Sequence, residues 1–142
     1  MTIEKRQLSE QNDNFIMLPT VDFCFKELMQ NKEVRKGILS ALLGKNPEEL
    51  EDTELLPTIL QPEYQDEKLG ILDVRFLFAD GTQTDLEMQV VQFDFWPNRV
   101  LFYLGKMYTG QIKRGEPYEK LKKCIHVSIL DFLHFPKDDR CF

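Results

Sequence analysis

Gly70-Ile71-Leu72-Asp73-Val74-Arg75-Phe76-Leu77-Phe78-Ala79-Asp80-Gly81-Thr82-Gln83-Thr84-Asp85-Leu86-Glu87-Met88-Gln89-Val90-Val91 is the stretch whose reading decides the fold of this 142-residue chain. Two strand-forming runs, 70–79 and 82–91, flank the turn pair Asp80-Gly81. Leu72, Val74, Phe76 and Phe78 alternate along the first run, and Leu86, Met88 and Val90 along the second. Both sets must share a face, because a one-residue slip turns one of them toward water. A two-residue loop would separate them. A three-residue loop over 79–81, with Gly81 left-handed, pairs Phe78 with Thr82 and aligns them. That register sets Asp73 opposite Glu87, Ile71 opposite Gln89 and Arg75 opposite Asp85.

The polar face of this hairpin has two readings. A hard divalent cation takes oxygen ligands, for Mg²⁺ usually one or two carboxylates plus water. Cross-strand partners have Cβ atoms about 4.5–5.5 Å apart, so Asp73 and Glu87 could share one ion. Gln89 lies on the face of Glu87 and could hold a water or a phosphate oxygen. The plainer reading is a solvated strand face, on which Arg75 and Asp85 make an ordinary charge pair.

Outward from the hairpin, the apolar spacing of Phe25, Leu28, Met29, Val34, Ile38, Leu39, Leu42 and Leu43 predicts helix over 22–43. Thr20 is the expected N-cap and Gly44 the C-cap, with a break into two helices at Gln30-Asn31-Lys32. Residues 46–54 read as helix-like and acidic, with Pro47 in the first turn, and 58–64 as an edge strand. Helix is expected over 97–113. Val100, Leu101, Leu104, Met107 and Tyr108 form its apolar face, and Arg99, Tyr103 and Lys106 line another. The run 124–132 reads as a buried strand. Helix, strand, hairpin, helix and strand in that order predict an α/β or α+β fold, a central mixed sheet flanked by helices.

Length fits one domain, with residues 1–17 as a flexible arm and 18–142 as the folded unit. The N-terminal residues are polar and carry no apolar signal core, and no run approaches the ~18 apolar residues of a membrane span. No membrane partner is expected on that ground, and the three cysteines, Cys24, Cys124 and Cys141, which form no CxxC pair, fit a reducing cytoplasm. A net charge of −6 argues against a basic coat for non-specific DNA binding, though not against a nuclease. Cys124 and His126 share a strand face. Zinc would need two further ligands, so the simpler reading is a core cysteine and a histidine with a polar partner. Phe93, Phe95 and Trp96 either stack on bases or pack against the following helix.

Ile71-Leu72-Asp73-Val74 followed by Leu86-Glu87-Met88-Gln89 resembles the paired D…ExQ strands of the recombination-promoting nuclease/putative transposase family of PD-(D/E)XK nucleases. Asp22-Phe23-Cys24-Phe25-Lys26 is similar to that family's D-x-x-F-K helix start. Arg99, Tyr103, Tyr108, Gln111, Gly115 and Tyr118 are similar to its R-x-x-x-Y…Y-x-x-Q…G-x-x-Y run. The resemblance implies a restriction-endonuclease-like core, C-terminally shorter than longer members. It implies a Mg²⁺- or Mn²⁺-dependent endonuclease that hydrolyses DNA in recombination or mobile-element movement. Asp73 and Glu87 would be its metal ligands, and Asp73, Glu87, Gln89, Arg99 and Tyr103 its catalytic set. Gln89 stands where the wider superfamily has lysine, and Arg99 or Lys106 is the expected replacement cation. The alternative is a weak or inactive nuclease-fold module acting through protein–protein contact, as a homo-oligomer or on a full-length relative.

Overall fold

The computed structural model describes residues 17–62, 64–92 and 94–134. All of the arm expected over 1–17 except Met17, together with Phe93 and Cys141, lies outside the described residues. Two helices come first, α1 (Asp22–Gln30) and α2 (Lys32–Leu43). Asn31 separates them because its extended backbone ends α1 while its Oδ1 accepts from Glu33 N and Val34 N, capping α2. Such a cap contributes about 1 kcal/mol. Gly44 closes α2 at φ 64°, where a side chain would be strained. Buried Arg35 donates to Met29 O at 2.9 Å and ties the two helices together. The N-cap of α1 is Val21, not Thr20, and it offers no side-chain bond.

Of the helix expected over 46–54, one 3-10 turn forms at Pro47–Leu50. Four acidic residues follow or occupy that turn, and the chain then extends into β1 (Glu54–Leu56), which the sequence reading did not anticipate. The strand expected over 58–64 shrinks to β2 (Ile59–Leu60), paired antiparallel with β3 (Gly70–Ile71).

The hairpin has the expected register. β4 (Val74–Leu77) and β5 (Gln83–Gln89) pair Val74 with Leu86, Arg75 with Asp85, Phe76 with Thr84 and Leu77 with Gln83. Phe78 N donates to Thr82 O at 2.9 Å, and Gly81 has φ 84° in the three-residue loop. The first run is not one continuous strand, however. It breaks at Leu72-Asp73, where Leu72 N donates to Thr58 O and the pairing passes from β2 to β1.

After α3 (Trp96–Thr109) the chain returns as β6 (Cys124–Leu130), parallel to β5 from Gln83↔Cys124 to Gln89↔Leu130. A parallel return needs a crossover of this length. Among the described residues the sheet order is β1-β4-β5-β6, which leaves β6 at an edge, and each of its residues is half-buried rather than buried as expected. The mixed sheet carries α1 and α2 on one face. Phe25, Met29 and Leu39 pack there on Val74, Phe76, Phe78 and Leu86. On the α3 side, a smaller cluster joins Leu60, Leu72, Tyr103 and Met107. Leu72 therefore leaves the apolar row assigned to it, because the break rotates it to the other side. Helix α3 turns Met107 inward as expected, but it also buries Tyr103 and leaves Leu101 and Tyr108 exposed, against expectation. Among the described residues, no helix is long and apolar enough to cross a membrane.

Candidate metal centre

The break at Leu72-Asp73 matters because it frees Asp73 from strand pairing. Its Oδ2 accepts from Met88 N at 3.0 Å, taking the place of a main-chain acceptor that the bent strand no longer supplies. Continuing the register one step beyond Val74↔Leu86 puts Asp73 opposite Glu87.

On β5, strand alternation sends Asp85 and Glu87 to the α3 side, and both are buried, at 0% and 2% exposure. Two carboxylates at i and i+2 below a helix are costly unless paired. Glu87 Oε2 lies 3.7 Å from the Arg99 guanidinium, while its Oε1 has no hydrogen-bond partner. Burial, with Asp85 and Asp73 nearby, pushes Glu87 up to about 7, against the pull of Arg99. Asp85 is also raised, chiefly by burial, with His126 opposing the shift, and its Oδ1 lacks a partner.

Parallel pairing of β6 sets His126 beside Asp85 and Ser128 beside Glu87. His126 Nδ1 lies 2.7 Å from Asp85 Oδ2, and its Nε2 lies 2.6 Å from Ser128 Oγ. Ligand atoms of Asp85, Glu87 and His126 fall within 4.8 Å of one another. His126 thereby orients Asp85, and Ser128 engages its other nitrogen.

Arg99 and Tyr103 sit one turn apart on α3. Arg99 Nε donates to Tyr103 Oη at 3.1 Å, and its guanidinium lies 5.2 Å from the ring centre. Burial lowers the guanidinium pKa, but Glu87, Tyr103 and Asp73 outweigh it and hold the group above its ordinary value. Of the helix face expected to meet the acids, Arg99 reaches Glu87 directly, and Tyr103 meets the site through Arg99. Lys106 does not join them. It pairs with Glu67 and approaches Gln61 O at 3.5 Å. Gln89 lies along its own strand, with Nε2 donating to Val91 O at 2.6 Å.

The expected Arg75–Asp85 ion pair is replaced. The two are register partners, but Arg75 donates to Gln83 Oε1 at 2.6 Å, and Asp85 turns to His126. Asp85, His126 and Ser128 are thus site residues that the sequence reading missed. Their available signal was alternation: Cys124, His126 and Ser128 share one face of their strand.

The donor set fits a hard divalent cation. Asp85 and Glu87 supply buried carboxylate oxygens, one on each without a hydrogen-bond partner, and His126 stands with them in one group of possible ligands. A bound cation would satisfy both orphan oxygens and keep the carboxylates ionised.

A family model described as PD-(D/E)XK nuclease family transposase matches residues 19–141. No curated protein and no solved structure is significantly similar to the chain.

Proposed function

This chain belongs to the PD-(D/E)XK nuclease family transposases, and on that premise we propose that it hydrolyses phosphodiester bonds in DNA with the aid of Mg²⁺ or Mn²⁺. The observation that carries the reading is the pair of buried, donorless oxygens, Asp85 Oδ1 and Glu87 Oε1, in a cluster with an excess of carboxylates. Glu87 and Asp73 would hold the ion, with Asp85 as a third oxygen donor. When bound, such an ion supplies an activated water and neutralises charge on the phosphate.

The chain's own residues have distinct tasks in this reading. Arg99, beside Glu87, neutralises a phosphate oxygen of the substrate strand in place of the superfamily lysine. Tyr103 holds the guanidinium at its Nε. His126, held by Ser128, fixes the rotamer of Asp85. Gln89 contributes by releasing Val91 O and turning its amide to a water or phosphate oxygen. The biological setting proposed is recombination or mobile DNA. A second copy or a longer relative is the partner that would add the positive charge this chain, at −6, lacks.

One observation favours the alternative, a nuclease-fold module that acts by contact rather than cleavage: the Gln89 amide is spent on its own strand. Plasmid nicking separates the two. The enzyme reading expects cleavage with Mg²⁺ or Mn²⁺, none in EDTA, and a loss of about 10³-fold in Asp73→Ala and Glu87→Ala, since a metal supplies several kcal/mol of charge stabilisation. Gln89→Ala should lower the rate while calorimetric metal binding persists. Cleavage that survives EDTA or Asp73→Ala would refute the metal mechanism. No cleavage and no metal binding would leave the interaction module.

A further inference from the structure

A cavity of about 490 Å³ adjoins the carboxylate cluster and shares Arg99 and Tyr103 with it. Its remaining walls are Lys68, Phe95, Asn98 and Phe102. The volume falls within the range of small-molecule sites, roughly 300–1,000 Å³. Its chemistry suits a nucleotide: two phenyl rings, one amide, and two cations, Arg99 from α3 and Lys68 from the loop before β3. Phe102 is anchored, half-buried against the Leu60, Leu72, Tyr103 and Met107 cluster. Phe95 is not, being 74% exposed at the N-cap of α3, where it makes no capping bond. A ring left in water beside a cavity of this composition gains by stacking on a planar partner.

We propose that this cavity takes one unpaired nucleotide of the substrate strand, next to the scissile phosphate. Its base lies against Phe95 and Phe102 with Asn98 at its edge, and its phosphate lies between Lys68 and Arg99. The inference rests on the nuclease reading and narrows its substrate class to DNA with single-stranded character, such as a flap, gap or frayed end. A base within a duplex has both faces covered by its neighbours, and cannot offer one to Phe95 without leaving the stack. The acidic balance of the chain points the same way. With a net charge of −6, recognition through a long run of phosphates is weak, and stacking is the alternative source of affinity.

The test uses the full chain in a Glu87→Gln background, so that binding is read without cleavage. Fluorescence anisotropy at fixed salt compares a single-stranded oligonucleotide, a flap and a blunt duplex of equal length. The expected result is tighter binding of the first two. Phe95→Ala should weaken them about tenfold, Phe95→Trp should restore them, and the duplex should hardly change. A 2-aminopurine moved along the flap strand should respond at one position, and lose that response in Phe95→Ala. Phe95 is exposed, so an unchanged melting temperature checks that the variant folds. Equal binding of duplex and single strand, indifference to Phe95→Ala, or no DNA binding at all would overturn the proposal. Cleavage assays of the natural chain keep the two readings apart. Metal-dependent cutting with indifference to Phe95 sinks the nucleotide pocket alone. Phe95-dependent binding without cutting sinks the nuclease reading and leaves the pocket.

Discussion

On the side of α1 and α2, the hairpin presents Val74, Phe76, Phe78 and Leu86, all buried against apolar side chains. On the side of α3, β5 presents Asp85 and Glu87, as deeply buried, while β4 presents half-buried Arg75 and Leu77, with Asp73 at the bend. Phe76 and Leu86 on the first face and Asp85 and Glu87 on the second are therefore about equally buried, while their chemistry is opposite. The first face is favourable by itself, at roughly 25 cal/mol per Å² of apolar area removed from water. The second is unfavourable until a proton or cation arrives, and its orphan oxygens record that. One face holds the fold together so that the other can be held in a state the sequence would not otherwise choose.

The sharpest way to break this comparison is to damage each face in turn. Phe76 is fully buried at the centre of the apolar face, and Phe76→Ala should cost about 3–5 kcal/mol of stability. Denaturant unfolding would measure it. A loss below about 1 kcal/mol would mean that the α1–α2 face is not the principal core.

The polar face should behave in the opposite sense, and pH exposes it. Glu87 is raised from its ordinary 4.5 to about 7 in the folded chain. Between those values the folded state keeps a proton that the unfolded state has released. Stability from this group is therefore full below about 4.5 and is lost as pH rises through about 7. Without metal, the natural chain should lose on the order of 2–3 kcal/mol from this group between pH 5 and 8. Glu87→Gln, isosteric and neutral, should remove that share of the slope. The difference between the two proteins cancels other titrations, including that of exposed Glu51. Added Mg²⁺ or Mn²⁺ should restore stability to the natural chain at pH 8 and not to the variant. Identical pH profiles for the two would show that Glu87 is not strained by burial.

The two faces were also unequally legible. Alternation and loop length together forced the register of the hairpin, because no other pairing buries Val74, Phe76 and Leu86 on one side. The same logic failed at Leu72, since a bend leaves no mark on an alternating pattern. It failed on α3 because that helix covers a partly polar face. Its inward stripe includes Arg99 and Tyr103 beside Met107, so Leu101 and Tyr108 of the expected apolar face point out while Met107 is buried. Asp73, Glu87 and Arg99 were visible as types in a pattern. The partnership of Asp85 with His126 spans 41 residues. It depends on a parallel register that no turn encodes, so the hairpin alone points to Arg75 as the partner of Asp85.

The smallest predicted effect concerns the turn that keeps the two faces apart. Gly81 sits at φ 84°, a conformation an L side chain adopts only with strain. A Cβ there would also meet Lys122 Cγ at 2.9 Å. That contact belongs to a flexible side chain and can be relieved by rotation, so the backbone sets the cost. Gly81→Ala should therefore lose about 1 kcal/mol. It should not shift the register, because a slip would carry Leu86 to the α3 side and Glu87 into the apolar core, at far greater cost than the strained turn. The expected outcome is a slightly lower unfolding midpoint, with the Glu87-dependent pH slope intact. A variant that loses that slope while remaining folded would show that the loop, and not the burial of the two faces, holds the register.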